Sequence, residues 1–315
     1  MEAQEINLME AGPKIEVPKP LDESQVESYV ENGYLVVPGM VGPEELEELA
    51  KDLVAIARGA YPCRGIDPVP SDYSDREVLE SILCIHHPQF ISPVIEKYAR
   101  HPQICGALSQ ITGAHLLEWD GSVQCMQSMY FVKPPRFQGQ AWHQDEVYIP
   151  TRDRSLVGAW IAVDGATREN GCLYTLPGSH RKGYLYPQRE HDNRDEFDFA
   201  LESYGFDDIG EVPVEVDAGG VVFFNGYLLH HSYKNRSDRY RRVLVSHYCN
   251  SWSLLPWQLK EGESSAKSDW RGVIQVAGSD PYAWKGYEWA PDMAHVRSCK
   301  AAEEARAAKK DRARS

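Results

Sequence analysis

The chain has no run of eighteen apolar residues, so the sequence offers no membrane-spanning helix. Its first twenty residues, MEAQEINLMEAGPKIEVPKP, hold no basic stretch followed by an apolar one, and no secretory signal is expected there. Cysteine is scarce and odd in number: the seven, Cys63, Cys84, Cys105, Cys125, Cys172, Cys249 and Cys299, never form a C-x-x-C pair. That scatter argues against a disulfide framework and for reduced, mostly buried thiols in a cytoplasmic setting. Positive charge is in deficit, with 33 Lys and Arg against 47 Asp and Glu and a net charge of −14. Neither nucleic acid nor an anionic membrane is therefore an expected partner. No internal repeat is visible, and the sequence is silent on oligomeric state.

What is present is the composition of an ordinary globular protein, 42% hydrophobic and 25% charged over 315 residues. Residues 1–20, with Pro13, Pro18 and Pro20, read as a flexible arm. Residues 21–298 read as one domain: a helical part over 21–115, a β core over 116–250 and a Trp-rich extension over 251–298, followed by a tail over 299–315. In the helical part Asp22 and Gln25 have the spacing of a capping box, Val26, Tyr29 and Val30 form an apolar face, and Gly33 ends the helix. Tyr34 to Val37 reads as a strand. Pro43 opens a second helix with Leu46, Leu49, Leu53 and Ile56 on one stripe, and further short helices are expected over 60–112. From about Leu116 the texture changes to short β-branched and aromatic runs (VQCMQSMYFV, SLVGAWIAV, CLYTLP, VPVEVDAGGVVFF, LLHHS, RRVLVSHYC) separated by Asn-Gly, Pro-Gly and Gly-Gly turns. Many short strands with hairpin turns predict a sandwich or jelly roll. An acidic insertion from Glu190 to Glu211 interrupts them and reads as a lid.

Two stretches carry chemistry. AWHQDEVYIP places His143 and Asp145 two apart, on one face of a strand, where an imidazole and a carboxylate can chelate one metal ion. Alone, a His-x-Asp pair is more often an ordinary surface feature. LLHHSYKNRSDRYRR then supplies two adjacent histidines and two adjacent arginines. His230 precedes Arg241 by eleven residues, and His231 precedes Arg242 by the same interval, so spacing does not choose between the pairs. Two His and one carboxylate form the facial triad of non-haem Fe(II) oxygenases and leave three positions open, two for a bidentate 2-oxo acid and one for dioxygen. The distal carboxylate of 2-oxoglutarate needs an Arg, whose planar fork pairs with it and keeps its charge when buried. Alternation places Arg241, Val243, Val245 and His247 on one face, fit for a core, and Arg242, Leu244, Ser246 and Tyr248 on a more polar one, which favours Arg241 inward.

The combination resembles the phytanoyl-CoA dioxygenase family of Fe(II)/2-oxoglutarate oxygenases. The stretches that carry it are QVESYVENGYLVVPGMVGPEEL, QSMYFVKPP, AWHQD, AWIAVDGATRENGCLYTLPGSHRKG and AGGVVFFNGYLLHHSYKNRSDRYRRVLVSHY, roughly residues 20–250. The resemblance implies a mainly β fold with N-terminal helices on a double-stranded β-helix (jelly roll, cupin-like) core. It implies Fe(II), 2-oxoglutarate and O2 as cofactor and cosubstrates, with ascorbate as an optional activator. The family's second metal-binding His usually stands in His-Gly-Ser. Ser232 lies two after His230, so the resemblance assigns His143, Asp145 and His230 to the metal, Arg241 and Ser232 to 2-oxoglutarate, and leaves His231 in the place of the glycine. Trp160 matches an aromatic near the cosubstrate, and Gln127 is expected to face the same pocket, although both are equally well read as ordinary core residues. His180, in PGSH, reads as structural. Cys84-Ile85-His86-His87 reads as a decoy for a metal site, placed in the helical part.

The expected activity is hydroxylation of an unactivated C–H bond of a small organic substrate, with release of succinate and CO2. Asp145 argues against halogenation, since related halogenases have Gly or Ala there. The alternatives are a desaturase or cyclase of the same chemistry, a cupin-like enzyme using another divalent ion, and a non-catalytic jelly-roll metal/2-oxoglutarate binder or sensor. Arg241 disfavours the cupin-like enzyme and the complete set of four residues the binder. The acidic insertion is expected to repel a polyanion such as CoA, and Lys133 and Arg136 are the nearest basic residues for an anionic group of the substrate.

Overall fold

The computed structural model describes residues 12–258, 262, 264 and 267–298. Helix α1 (Glu23–Asn32) starts at a complete capping box between Asp22 and Gln25 and stops at Gly33, whose φ of 81° only glycine adopts without strain. Its buried contact is Tyr29, with Val26 beside it; Val30, expected on the apolar face, is exposed. Strand β1 (Tyr34–Val37) leads to α2 (Pro43–Ala57), which buries Leu49, Leu53 and Ile56. Next come α3 (Asp75–Ser81), β2 (Ile82–His86), α4 (Pro93–Ala99) and α5 (Pro102–Ile111). The strand β2 departs from the expected all-helical region. Its run ILCIH is apolar and β-branched, and pairing with the core sheet overrides the helical context.

The core strands are β3 (Val123–Lys133), β4 (Gln140–His143), β5 (Val157–Ala162), β6 (Leu173–Thr175), β9 (Val212–Val214), β10 (Val221–Asn225), β11 (His230–Ser232) and β12 (Arg241–Asn250), with a small hairpin of β7 (Gln188–Arg189) and β8 (Glu202–Ser203). The C-terminal segment adds β13 (Ile274–Ala277) and β14 (His295–Ser298). The large sheet runs β1-β10-β5-β12-β3-β2-β14, with β13 also on β3; the small sheet runs β4-β11-β6-β9. All their pairings are antiparallel. Trp160, Val222, Val243 and Val245 of the large sheet pack against Leu173 and Val214 of the small one. This is a double-stranded β-helix, as expected.

The outer face of the large sheet is not solvated. Tyr130, Leu244 and Tyr248 pack with Leu53, Ile95 and Leu108 of the helices. The alternate face of β12, read from sequence as the more polar one, therefore belongs to a second core layer, and Ser246 within it is satisfied by Ser128 at 2.8 Å. Of the arm expected over 1–20, the described part is pinned: Ile15 exchanges backbone hydrogen bonds with Gly278 at 2.8 and 2.9 Å. The tail expected over 299–315 lies outside the described residues. Among the described residues no helix is long and apolar enough to cross a membrane, and the six cysteines are free.

Candidate active site

Strand pairing sets the site. Antiparallel β11 and β4 place His230 directly opposite His143, with ring centroids 4.1 Å apart. Asp145 lies two residues past the end of β4. It opens a single 3-10 turn, so the strand-face expectation is met through the extended backbone of Gln144 and not through a continuous strand. Gln144 is held outward, donating to Tyr227 O at 2.8 Å and accepting from Tyr186 N at 2.8 Å, which leaves the residues on either side pointing into the cavity. Asp145 Oδ1 lies 3.6 Å from Nε2 of both His143 and His230. One ligand atom from each of the three residues falls within 4.8 Å of the others.

The surroundings prepare these atoms for a cation. His143 Nδ1 is 2.8 Å from Ala141 O and His230 Nδ1 is 3.0 Å from Leu228 O. A carbonyl accepts only, so each Nδ1 carries a proton, which leaves Nε2 as the nitrogen available to a metal. Burial, and then the nearby His230, pulls the His143 imidazole down to about 3, which keeps it neutral. Burial alone would raise the Asp145 carboxyl, but His230, His247 and His143 outweigh it and hold the group well below the usual carboxylate range. The donor set thus fits a divalent metal: two imidazoles and one carboxylate, all buried, on one side of an open space.

That space is a cavity of about 560 Å³ between the sheets. Gln127, Trp160, Ser232 and Arg241 all line it, together with His143, Asp145 and His230. Arg241 is 6% exposed, its guanidinium lies over the Trp160 ring at 5.5 Å, and among the described residues its Nε has no hydrogen-bond partner. Burial pulls that guanidinium down to about 10. Arg242 points the other way and forks onto Asp164, Nε to Oδ2 at 2.8 Å and Nη2 to Oδ1 at 2.7 Å. The two arginines thus differ: Arg241 lines the cavity with no ion pair among the described residues, and Arg242 is half of an ion pair. His231 packs 4.1 Å from the Trp142 ring, and its Nε2 meets Glu211 at 2.8 Å.

Two residues have contacts at the site that sequence reasoning missed, His247 and Lys133. His247 places Nε2 2.8 Å from Asp145 Oδ2, steering Oδ1 toward the histidines. Alternation from Arg241 had put it inward, but nothing in sequence paired it with Asp145. Lys133, read as a contact for the substrate, pairs with Arg241 across β3 and β12 and donates to Ser232 Oγ at 2.9 Å. Arg136 does not line the cavity; it is exposed and donates to the Arg236 carbonyl. His86 lies on the cavity wall, stacked on His295 at 4.6 Å, and neither it nor His87 joins the three-ligand cluster, the one such group among the described residues. His180 bonds Val30 O at 3.1 Å beside Gly33, a structural role.

The acidic insertion reaches the cavity through residues 198–201. Part of its charge is compensated: Glu196 pairs with Arg236, Asp198 with Arg297 and Glu202 with Arg189, while Glu211 meets the buried His231. The expected repulsion of polyanions is correspondingly weaker than a residue count implies. From the Trp-rich extension, Trp257 and Arg297 line the cavity.

Comparison with known proteins decides the family. Residues 29–243 match the family model of phytanoyl-CoA dioxygenase. The chain belongs to the phytanoyl-CoA dioxygenase family. A phytanoyl-CoA dioxygenase of Arabidopsis thaliana is 36% identical over 137 residues, 42% of this chain and 48% of the relative, so the match spans about half the length of that plant protein. A phytanoyl-CoA dioxygenase domain-containing protein 1 of Danio rerio is 25% identical over 291 residues, covering 75% of this chain and 94% of its own. The solved structure of the non-haem α-ketoglutarate-dependent carbocyclase SnoK from nogalamycin biosynthesis superposes with a TM-score of 0.56 at 22% identity, over 82% of this chain and 95% of that one, and shows a shared fold.

Proposed function

We propose that the protein is an Fe(II)- and 2-oxoglutarate-dependent dioxygenase that hydroxylates an unactivated C–H bond of a small organic substrate. One observation carries the reading: a His143, Asp145, His230 cluster and a buried, unpaired Arg241 share one cavity. His143 Nε2, Asp145 Oδ1 and His230 Nε2 would hold the iron, which when bound supplies oxygen activation coupled to decarboxylation of the 2-oxo acid. The chain's own residues do the rest. Arg241 pairs with the distal carboxylate of 2-oxoglutarate, and Ser232 donates to it. Trp160 lies against the cosubstrate side of the cavity and Gln127 beside His247 at the metal end. The apolar walls, including Met129, Phe131 and Trp257, hold the substrate and exclude water. Residues 190–211 act as the cover that closes over it. The reading takes residues 21–298 as one catalytic unit working in a reducing, cytoplasmic setting, with ascorbate as an activator.

A panel of small organic acids, amino acids and acyl thioesters, incubated with Fe(II), 2-oxoglutarate and air, tests this. The expected product carries one added oxygen with matching succinate. A product that has lost two hydrogens instead would reassign the enzyme as a desaturase or cyclase. No succinate with any compound, with Fe(II) and 2-oxoglutarate still bound, would leave a non-catalytic jelly-roll binder or sensor.

A further inference from the structure

The cavity holds more positive charge than one carboxylate-binding arginine requires: Lys133 and Arg241 both line it. Lys133 is 5% exposed and directly opposite Arg241 in the β3–β12 register. Its Nζ donates to Ser232 Oγ at 2.9 Å and to Tyr233 O at 2.8 Å. An ammonium has three donors and no acceptor, so one N–H has no protein partner here. Gly171 makes room for it: a Cβ there would lie 2.9 Å from Lys133 Nζ. Among the described residues no carboxylate forms an ion pair with Lys133 or Arg241. Burial, and then the Arg241 charge, drives the Lys133 ammonium well below its ordinary range. Two buried cations side by side without a counter-charge are costly unless an anion joins them.

Ser232 completes the argument. Its Oγ accepts from Lys133 Nζ and, at 3.4 Å, from Gln140 N. Both partners are donors, so neither takes the hydroxyl hydrogen, which is left to donate into the cavity.

We propose that Lys133 is a positioning residue for the cosubstrate: it occupies the Ser232 lone pair, turns the Ser232 hydroxyl hydrogen toward the distal carboxylate, and with Arg241 makes the cavity selective for 2-oxo acids that carry a second carboxylate. This rests on reading the cavity as a 2-oxoglutarate site. Arg241 forks the carboxylate, Ser232 donates a third hydrogen bond, and Lys133 supplies the second charge. A 2-oxo acid ending in a methyl group leaves both cations unpaired and is rejected.

The test is calorimetric binding of 2-oxoglutarate and of 2-oxobutyrate, which lacks the distal carboxylate, to Mn(II)-loaded protein without turnover. Lys133→Met should raise the 2-oxoglutarate dissociation constant about tenfold or more, on the scale of losing a buried charged partner, and leave that of 2-oxobutyrate unchanged. Ser232→Ala added to Lys133→Met should cost little further, because the two act through each other. If Lys133→Met does not fold, Lys133→Gln, which keeps a donor for Ser232 and loses the charge, is measured instead and should show the same preference loss. Equal weakening of both ligands marks a merely structural lysine and overturns the proposal, as does unchanged 2-oxoglutarate binding. Arg241→Ala separates the two levels. If it is crippled while Lys133→Met is normal, only this inference fails; if it too binds normally, the cosubstrate reading of the cavity fails.

Discussion

Replacing Arg241 and Arg242 one at a time should produce opposite defects. Arg241 is buried against Trp160 without an ion pair, so in Arg241→Ala the distal carboxylate of 2-oxoglutarate would sit in a dry cavity without its fork. Truncating one partner of such a pair costs roughly 2–5 kcal/mol. By the affinity relation that is about a thirtyfold to several-thousandfold rise in the cosubstrate constant. Arg241→Lys should recover only part, since an ammonium cannot make two parallel contacts. Arg242 makes its fork to Asp164, and both side chains are 24% exposed. Arg242→Ala should leave the cosubstrate constant within about threefold, but should lower stability by about 1–3 kcal/mol, because a mostly buried carboxylate loses its charged partner. Steady-state kinetics with 2-oxoglutarate varied, alongside chemical unfolding of each variant, reads both effects. A crippled cosubstrate constant in Arg242→Ala with a normal one in Arg241→Ala would refute the register, and His230 would lose its place to His231.

Other outcomes follow from the same geometry. His247→Phe removes the donor to Asp145 Oδ2 and should weaken Mn(II) binding about 10–100-fold, measured by calorimetry; unchanged affinity would remove His247 from the site. Glu146 is buried, and burial pushes its carboxyl up to about 8. A raised carboxyl stabilises the fold at low pH, and that contribution fades as pH climbs from the unfolded value near 4.5 through about 8. Glu146→Gln should therefore gain stability relative to the parent as pH rises across that window, by up to about 5 kcal/mol, and a pH-independent difference in unfolding free energy would contradict the shift. Residues 198–201 should exchange their amides more slowly with 2-oxoglutarate and substrate bound than without; equal protection in both states would count against a closing cover.

Periodicity and turn chemistry made most of the fold legible. The capping box at Asp22, the stop at Gly33 and the alternating runs of β3, β5, β10 and β12 stand where local pattern puts them. The strand β2 was not legible, because ILCIH is a short apolar run and only its pairing with β3 distinguishes strand from helix. The face of β12 that looks polar is buried, because hydroxyls such as Ser246 find partners on neighbouring strands. At the site, residue type and spacing singled out His143 and Asp145, while the choice of His230 over His231 came from the resemblance and the alternation of β12. Asp145 arrives by a turn, and its tie to His247 spans 102 residues of sequence, which no local pattern encodes. Sequence shows the charge of Lys133 but not that β12 sets Arg241 directly opposite it.

The most direct measurement of the central claim is succinate formed from 2-oxoglutarate by Fe(II)-reconstituted protein, compared between the parent and Asp145→Ala. The account predicts succinate that requires both Fe(II) and air in the parent and falls to the protein-free background in Asp145→Ala, because two imidazoles alone do not complete the facial ligand set. Undiminished Fe(II)-dependent succinate from a folded Asp145→Ala protein would contradict it.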